Sequence, residues 1–346
     1  MIPYYTLPVM AFVVALIRIY GKRCTPLVAI LLLTCLAVGM LRGTGLGTDY
    51  YNYQSLFSHA PEGIEPGFLW LMQAVKMLGG GFHALLALVF ALAFFTKWWT
   101  CQRMSLHPYL SLMLCLGFWF LTYDLNGIRQ GLALGLIGVA TYHVWQRHTL
   151  LYWVFALLAA SVHYSTLVYL PFIFFVGRQC TKRTLMLFAA LCAGFLAFNA
   201  VEVILGYFGG SELLVLDKIE SYGQNELYNE NVLYSFSTVH RILVTILIVY
   251  AVSRMKIDDR LKSIFLWAAL FSMAIYLMFG RIEIVATRLS LNYRFIECFT
   301  LGCLPSLFVR RSNRTIVAFL LLVYVLMQVY TVLSIPDGGL VPYRFL

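Results

Sequence analysis

The sequence predicts an all-α polytopic integral membrane protein, a bundle of about 10 transmembrane helices with added short or re-entrant helices. Of the 346 residues, 61% are hydrophobic and 12% are charged, and the mean hydropathy is +0.82. A soluble domain with a polar shell does not reach these values. Apolar runs of roughly 17–22 residues recur along the chain, and each is long enough to cross a ~30 Å hydrocarbon layer as a helix.

Basic residues indicate the topology, because short cytoplasmic loops are enriched in lysine and arginine. The basic clusters are Lys22/Arg23, Lys97/Arg103, Arg147, Arg178/Lys182/Arg183, Arg254/Lys256/Arg260/Lys262 and Arg310/Arg311/Arg314. We expect all of them to lie in the cytoplasm and the N-terminus to lie outside. The net charge of +10 then reflects topology, and no nucleic-acid partner is expected.

With this orientation, the apolar runs divide into ten predicted spans. They are 2–19, 25–41, 82–99, 107–123, 128–146, 184–206, 239–254, 262–280, 289–309 and 315–333. Spans 25–41, 82–99 and 184–206 have almost no interior charge, which argues against a pathway through the whole membrane. The chain is predicted to be a single transmembrane domain, 1–346, with long outer loops at 41–64 and 207–238.

Two apolar stretches do not fit the alternation of inward and outward spans. Residues 66–78 lie between Glu65-Pro66 and three glycines, and if they crossed the membrane Lys97 and Arg103 would move outside. We expect a short re-entrant or interfacial helix there. Residues 149–176 have a polar break at 161–165, which predicts a hairpin of short helices. Broken helices are tolerated where they line a cavity, so both stretches indicate one central site.

The two outer loops are rich in Gly, Tyr, Asn and acidic residues. Aromatic rings and amides suit carbohydrate, since rings stack on sugar C–H faces and amides bond to hydroxyls. The alternative is an ordinary interfacial aromatic belt. The eight cysteines are scattered without paired spacing, which is typical of packing residues and not of a disulfide framework or a metal site.

Five arginines lie at span edges that the charge bias assigns to the outer side: Arg42, Arg129, Arg281, Arg288 and Arg294. Positive charge is not expected there, so these residues suggest an anionic ligand at the outer mouth of the bundle.

Several short strings follow one another along almost the whole chain. They are Arg42-Gly43-Thr44-Gly45 with Gly47-Thr48-Asp49-Tyr50 and Asn52-Tyr53, Glu65-Pro66-Gly67-Phe68, Asn126-Gly127-Ile128-Arg129-Gln130-Gly131-Leu132-Ala133, Val162-His163-Tyr164-Ser165 with Leu170-Pro171, Thr287-Arg288 with Tyr293-Arg294-Phe295, and Pro342-Tyr343-Arg344-Phe345. In this order and spacing, the series resembles the EpsG family of Wzy-like exopolysaccharide and O-antigen polymerases.

This resemblance implies a glycosyltransferase of the bacterial inner membrane, with a GT-C-like architecture. It would join polyprenyl-pyrophosphate-linked oligosaccharide repeat units on the periplasmic side, so that 41–64 and 207–238 would be periplasmic loops. The expected partners are a lipid-linked donor, a lipid-linked acceptor, membrane lipids and a chain-length regulator protein.

The residues are compatible with this chemistry. Cleaving the bond from an anomeric carbon to pyrophosphate develops negative charge on the leaving group, which a metal or fixed cations must stabilise. Asp258-Asp259, the adjacent acids, lie in a predicted cytoplasmic loop, so no metal or cofactor is expected. Guanidinium groups bind phosphate bidentately and stay charged. The predicted binding set is Arg42, Arg129, Gln130, Arg288, Arg294, Tyr50, Asn52 and Arg344.

Each arginine also has a structural explanation. Arg281, near Glu283, and Arg288 can extend to lipid headgroups. Arg129 can form an ion pair with Asp124, while the following Gly131-x-x-x-Gly135 pattern predicts close approach of another helix. Arg294 must face the interior or the interface, and its partner is Glu297 or a bound phosphate.

Transfer also requires a base for the acceptor hydroxyl. Asp49, in a Gly-rich loop, is the first candidate, followed by Glu65 and His163. The alternatives are that Asp49 forms a turn, that Glu65 caps a helix before Pro66, and that His163 bonds to broken backbone. Two other functions remain open, a flippase or transporter of lipid-linked oligosaccharides and a ligase or acetyltransferase acting on the same glycans.

Overall fold

The computed structural model describes residues 1–59, 63–198, 232–335 and 338–346. These residues form helices and no strand, as the sequence predicts, apart from an isolated antiparallel bridge between Arg42 and Phe345. They divide into two compact units: unit 1 comprises Met1–Leu170 and Cys298–Leu346, and unit 2 comprises Pro171–Glu297. The single transmembrane domain stays a prediction.

The α-helices are numbered in chain order within the described residues. They are α1 Ile2–Ile19, α2 Thr25–Met40, α3 Tyr50–His59, α4 Pro66–Met77, α5 Phe82–Met104, α6 Pro108–Leu114, α7 Ile128–Trp145, α8 Thr149–Val162, α9 Lys182–Ala197, α10 Phe236–Arg254, α11 Asp259–Met278, α12 Glu283–Arg294, α13 Glu297–Gly302 and α14 Arg311–Leu333. A π-helix covers Cys115–Asp124, and 3-10 helices cover Tyr164–Phe174 and Leu304–Leu307.

Local chemistry explains where several helices begin. Proline occupies the first turn of α2, α4 and α6, where its missing N–H costs no helical hydrogen bond. Side-chain oxygens cap three other helices: Thr181 accepts from the Thr184 N–H, Ser235 from the Thr238 N–H, and Asp258 from the Leu261 N–H.

In unit 1, α7 packs between α5 and α8, with Ala133 and Leu134 fully buried. The predicted close approach at the α7 glycines is confirmed. A Cβ at Gly131 would lie 2.6 Å from the Tyr123 carbonyl oxygen, and one at Gly135 would overlap Thr96 of α5. These two positions bring the N-terminal half of α7 against the π-helix and α5.

In unit 2, α11 packs against α9, α10 and α12. Its core includes Leu233, Met273, Tyr276 and Ala286, all at most 6% exposed. An aromatic cluster around Phe271 adds ring contacts, with the Phe175 and Phe271 centroids 4.7 Å apart.

Within the described residues, five helices are long and apolar enough to cross a membrane: α1, α5, α10, α11 and α14. The count of ten spans stays a prediction. The predicted span 107–123 is α6 followed by the π-helix, and 289–309 is divided among α12, α13 and a 3-10 helix. The described part of 184–206 ends at residue 198, and most of the 207–238 loop lies outside the described residues.

The two irregular stretches form short helices, as predicted. α4 has 12 residues, and 149–176 is α8 followed by a 3-10 helix, with His163 in extended conformation between them. α4 packs against α8, where a Cβ at Gly67 would meet the Ser161 carbonyl oxygen at 2.9 Å. The re-entrant position of α4 stays a prediction.

Candidate active site

Three short segments of unit 1, each next to the end of a helix, meet in one region. They are the loop between α2 and α3, the residue before α4, and the turn between the π-helix and α7. The sequence-predicted residues Arg42, Asp49 and Glu65 lie on or next to these segments, and Arg129 follows the last of them, in the first turn of α7.

Arg42, the first residue of this site, is only 2% exposed. Its Nη1 donates to the carbonyl oxygens of Asp124 and Leu125, at 3.2 and 2.6 Å, so the guanidinium holds the end of the π-helix. Burial lowers the pKa of Arg42 to about 10, with Tyr53 and Asp124 opposing the shift, and the group stays charged at neutral pH. Its Nε is buried and has no hydrogen-bond partner among the described residues.

Asp124 itself pairs with Lys97 of α5, and both side chains are at most 4% exposed. Lys97, expected with Arg103 at the cytoplasmic end of span 82–99, is instead buried inside the bundle. α5 continues to Met104, about two turns further, so Lys97 turns into the bundle and meets a buried carboxylate. The Arg129–Asp124 ion pair, the structural alternative for Arg129, is not observed, because Asp124 pairs with Lys97 and Arg129 with Glu65. Span 82–99 does contain a buried charge.

Asn126 holds the Gly-rich loop. Its Oδ1 accepts the backbone N–H of Asp49 at 2.9 Å, and its Nδ2 donates to Thr48 Oγ1 at 3.0 Å. Asp49 is half-buried, and its carbonyl accepts the Tyr53 N–H at 3.0 Å at the start of α3. No hydrogen bond from the described residues reaches the Asp49 carboxylate.

Glu65 is 5% exposed and precedes Pro66 at the N-cap of α4, but its side chain makes no capping hydrogen bond. Its carboxylate instead pairs with Nη1 of Arg129, in the first turn of α7. Arg129 Cζ lies 5.6 and 5.7 Å from the ring centres of Tyr53 and Phe68. We call these four residues the Arg129 cluster.

The Arg129 side chain is 25% exposed, and its Nε is buried with no partner among the described residues. Nη1 of the guanidinium is thus paired with Glu65 and its Cζ lies over two aromatic rings, while Nε keeps its donor capacity. This arrangement fixes the orientation of the Arg129 guanidinium.

The other predicted unit 1 residues divide into buried and exposed groups. Tyr50 is 4% exposed and its hydroxyl lies 3.2 Å from His83 Nε2. Gln130 is 5% exposed, one residue after Arg129. Asn52 and Arg344 are exposed, and the Arg344 carbonyl accepts the Gly43 N–H at 2.7 Å. The structure therefore brings the Arg344 backbone to the site loop.

His163 lies at the break after α8. Its Nδ1 is 2.8 Å from Ser165 Oγ and accepts the Ser165 N–H at 3.3 Å. Its carbonyl accepts the Thr166 hydroxyl at 2.8 Å. The structural alternative for His163 is thus observed: the residue organises the broken backbone.

Unit 2 has a cationic group of its own. Arg294 is 8% exposed and its Nε lies 3.4 Å from Glu297 Oε2, the partner that the sequence suggests. Arg241 of α10 is 9% exposed, donates to Ser290 Oγ at 3.1 Å and lies 3.8 Å from the Tyr276 ring centre. Arg288 is half-buried on α12, and Arg281 is exposed.

Sequence reasoning missed three of these residues. Asn126 lies in one of the strings that carry the family resemblance, but the string alone indicates no role for it. Its signal is its position as a polar residue just before the start of α7. Lys97 is predicted at the cytoplasmic end of a span, and its burial against Asp124 is not predicted. Arg241 occupies the outer end of a predicted span, as the five singled-out arginines do, so the same charge rule applied there would have found it.

The sequence profile of the EpsG family matches residues 25–345. No curated protein and no solved structure gives a significant match to the chain. Since the family match covers nearly every residue, including the Arg129 cluster, the Gly-rich loop and the unit 2 arginines, this chain belongs to the EpsG family.

Proposed function

We propose that this protein polymerises polyprenyl-pyrophosphate-linked oligosaccharide repeat units at the periplasmic face of the bacterial inner membrane, in O-antigen, capsule or exopolysaccharide synthesis. Five membrane-length helices and membership of the EpsG family support a membrane protein with an exopolysaccharide-related, polymerase-like role.

One observation carries the chemistry. In unit 1, two guanidinium groups each have a buried Nε without a partner in the described residues, and Asp49 stands on the adjoining loop. Arg42 Nη1 holds the 124–125 carbonyls, and those residues lead through Asn126 to both Asp49 and α7. The guanidinium groups of Arg42 and Arg129 and the carboxylate of Asp49 therefore lie around the turn that precedes α7.

In the proposed step, an acceptor sugar hydroxyl attacks the anomeric carbon of the donor. The new carbon–oxygen bond forms, the bond to pyrophosphate breaks, and the hydroxyl proton passes to the Asp49 carboxylate. The electron pair leaves with the pyrophosphate, whose growing charge Arg129 stabilises through fixed N–H donors, with Arg42 Nε as a second donor. Tyr50, Asn52, Gln130 and Arg344 would contact the sugar or phosphate groups.

Glu65 has a different proposed role. Because its carboxylate already accepts from Arg129, it orients the guanidinium and leaves proton transfer to Asp49. Arg288 and Arg294 of unit 2 are proposed as further anion-binding residues. We add Arg241 to this proposal, because it is a second buried arginine of unit 2 and contacts Ser290 of α12.

A second function has one observation in its favour. The buried Lys97–Asp124 pair puts charge inside the membrane-length helix α5, as transporters of polar substrates often do. A flippase of lipid-linked oligosaccharides therefore remains the alternative, and transfer to another acceptor by a ligase or acetyltransferase is the third.

Purified protein in vesicles with lipid-linked repeat units separates these functions. Polymerisation predicts a ladder of longer glycans on the lipid carrier, resolved by gel or mass spectrometry. Movement of unaltered units across the bilayer would instead indicate a flippase, and glycan found on a different acceptor would indicate a ligase.

A further inference from the structure

The C-terminal segment 338–346, which we call the C-terminal strap, pairs with the loop that carries Asp49. Arg42 and Phe345 form the isolated antiparallel bridge, and the Gly43 N–H donates to the Arg344 carbonyl at 2.7 Å. The strap thus adds a short ladder to the beginning of this loop.

A second contact lies further along the loop. The Gly47 N–H donates to the Gly339 carbonyl at 2.9 Å. Gly339 has φ +67°, and a Cβ built there would lie 3.0 Å from Gly47 C and 3.1 Å from Thr48 N. Only glycine combines this backbone conformation with so close an approach.

Two tyrosines hold the strap on the bundle. The Tyr343 hydroxyl donates to the Val38 carbonyl at 2.6 Å, and the Tyr4 hydroxyl donates to the Leu340 carbonyl at 2.7 Å. The two rings pack edge to face, with centroids 5.6 Å apart. The strap is therefore fixed to α1 and α2 as well as to the loop.

The opposite side of the loop rests on Asn126. A Cβ at Gly47 would lie 2.8 Å from Asn126 Oδ1, and the same oxygen accepts the Asp49 N–H. Residues 47–49 are thus enclosed between the strap and the turn that precedes α7.

We propose that the C-terminal strap is a positioning element of the active site, with Gly339 and Tyr343 as positioning residues that fix the loop and so the Asp49 carboxylate. The catalytic part of this inference rests on the proposed function, because it takes Asp49 as the base. The structural part, that the strap orders the loop, is independent of the proposed function.

Gly339→Val tests the strap, because the added side chain meets Gly47 and Thr48. Gly21→Val is the matched control: Gly21 also has positive φ, +78°, but a Cβ there meets nothing within 4 Å. Loop order is read in a cysteine-free background by the maleimide labelling rate of Leu46→Cys, a loop position that is 5% exposed. Tyr343→Phe, which removes one hydrogen bond, is a milder variant should Gly339→Val fail to fold.

We expect Gly339→Val to raise the labelling rate about tenfold, because labelling follows local opening of the loop. Polymerisation kcat should fall by about tenfold while KM for the lipid-linked unit stays within about twofold, since Gly339 meets the loop at Gly47 and Thr48, beside Asp49, and Arg344 is held by a separate contact with Gly43. Tyr343→Phe should also raise the labelling rate and lower kcat, but by less. Gly21→Val should change neither the labelling rate nor kcat.

An unchanged labelling rate in Gly339→Val would overturn the proposal, since the strap would not order the loop. Faster labelling with unchanged kcat would overturn its catalytic part. If even the wild-type protein forms no polymer while Gly339→Val still labels faster, the proposed function fails and the structural role of the strap stands.

Discussion

Arg129 and Glu65 form an ion pair between the first turn of α7 and the N-cap of α4. The pair joins a residue with remaining donor capacity to a carboxylate that is 5% exposed. Its consequence is a guanidinium whose orientation is set before any ligand arrives, which is the condition under which fixed charges stabilise a transition state best.

Replacing Arg129 by lysine should abolish most polymerisation although the charge is kept. An ammonium lacks the planar fork, and one lost transition-state contact of this kind costs ~2.7–4 kcal/mol, or roughly 100–1000-fold in rate. The exposed Arg281→Lys is the control and should remain within a few-fold of wild type. Long polymer from Arg129→Lys at normal protein level would refute the role of this cation.

Asp49→Asn separates the base from the scaffold. The side chain keeps its size but cannot take a proton, so the rate should fall by ~100-fold or more while lipid-linked substrate still binds. His163→Gln should cost less, because His163 organises backbone around Ser165. Rates and substrate binding are measured on purified variants. Wild-type activity in Asp49→Asn together with loss of activity in His163→Gln would transfer the role of base to His163.

We expect the buried Lys97–Asp124 pair to contribute to the stability of the folded protein. Lys97→Met leaves a buried carboxylate without its partner, and breaking a buried pair from one side typically costs ~3–5 kcal/mol. The double variant Lys97→Met/Asp124→Leu should recover most of the lost stability. Thermal unfolding in detergent measures both, and equal destabilisation of the single and double variants would show that the ionic pairing is not the cause.

The sidedness follows from the charge pattern alone. In a cysteine-free variant, Thr48→Cys should react with a membrane-impermeant thiol reagent applied outside, and Asp259→Cys should not. Both positions are exposed, and Asp259 is chosen because Asp258 caps α11. Position 224 is also predicted to lie outside, but it falls beyond the described residues. Labelling of Asp259→Cys from outside would reverse the orientation.

The sequence indicated the helical class, the short α4 and the break at His163, because each depends on local composition: an apolar run, a proline or a polar interruption. It also predicts Arg42, Asp49, Glu65 and Arg129 as site residues, and the structure brings these four into one region of unit 1. The sequence did not indicate their partners. Glu65 and Arg129 belong to different helices, and spacing along one helix does not determine which side chain of another helix it meets.

The same limit explains the errors. Lys97 reads as part of a basic cluster with Arg103 at the cytoplasmic end of a span, and only the packing of α5 on the π-helix shows its buried partner Asp124. Asn126 reads as an ordinary turn residue until the Gly-rich loop is placed beside it. The strap contacts join residues from opposite ends of the chain, which no periodicity reports.

The most direct test of the central claim, that fixed arginines and not a metal carry the leaving-group charge of a polymerisation, is an assay of reconstituted wild-type protein with lipid-linked repeat units in excess EDTA. The account predicts an undiminished ladder of longer glycans and one polyprenyl pyrophosphate released for each linkage formed. A ladder that disappears in EDTA and returns with Mg²⁺, or repeat units that cross the bilayer without being joined, would contradict it.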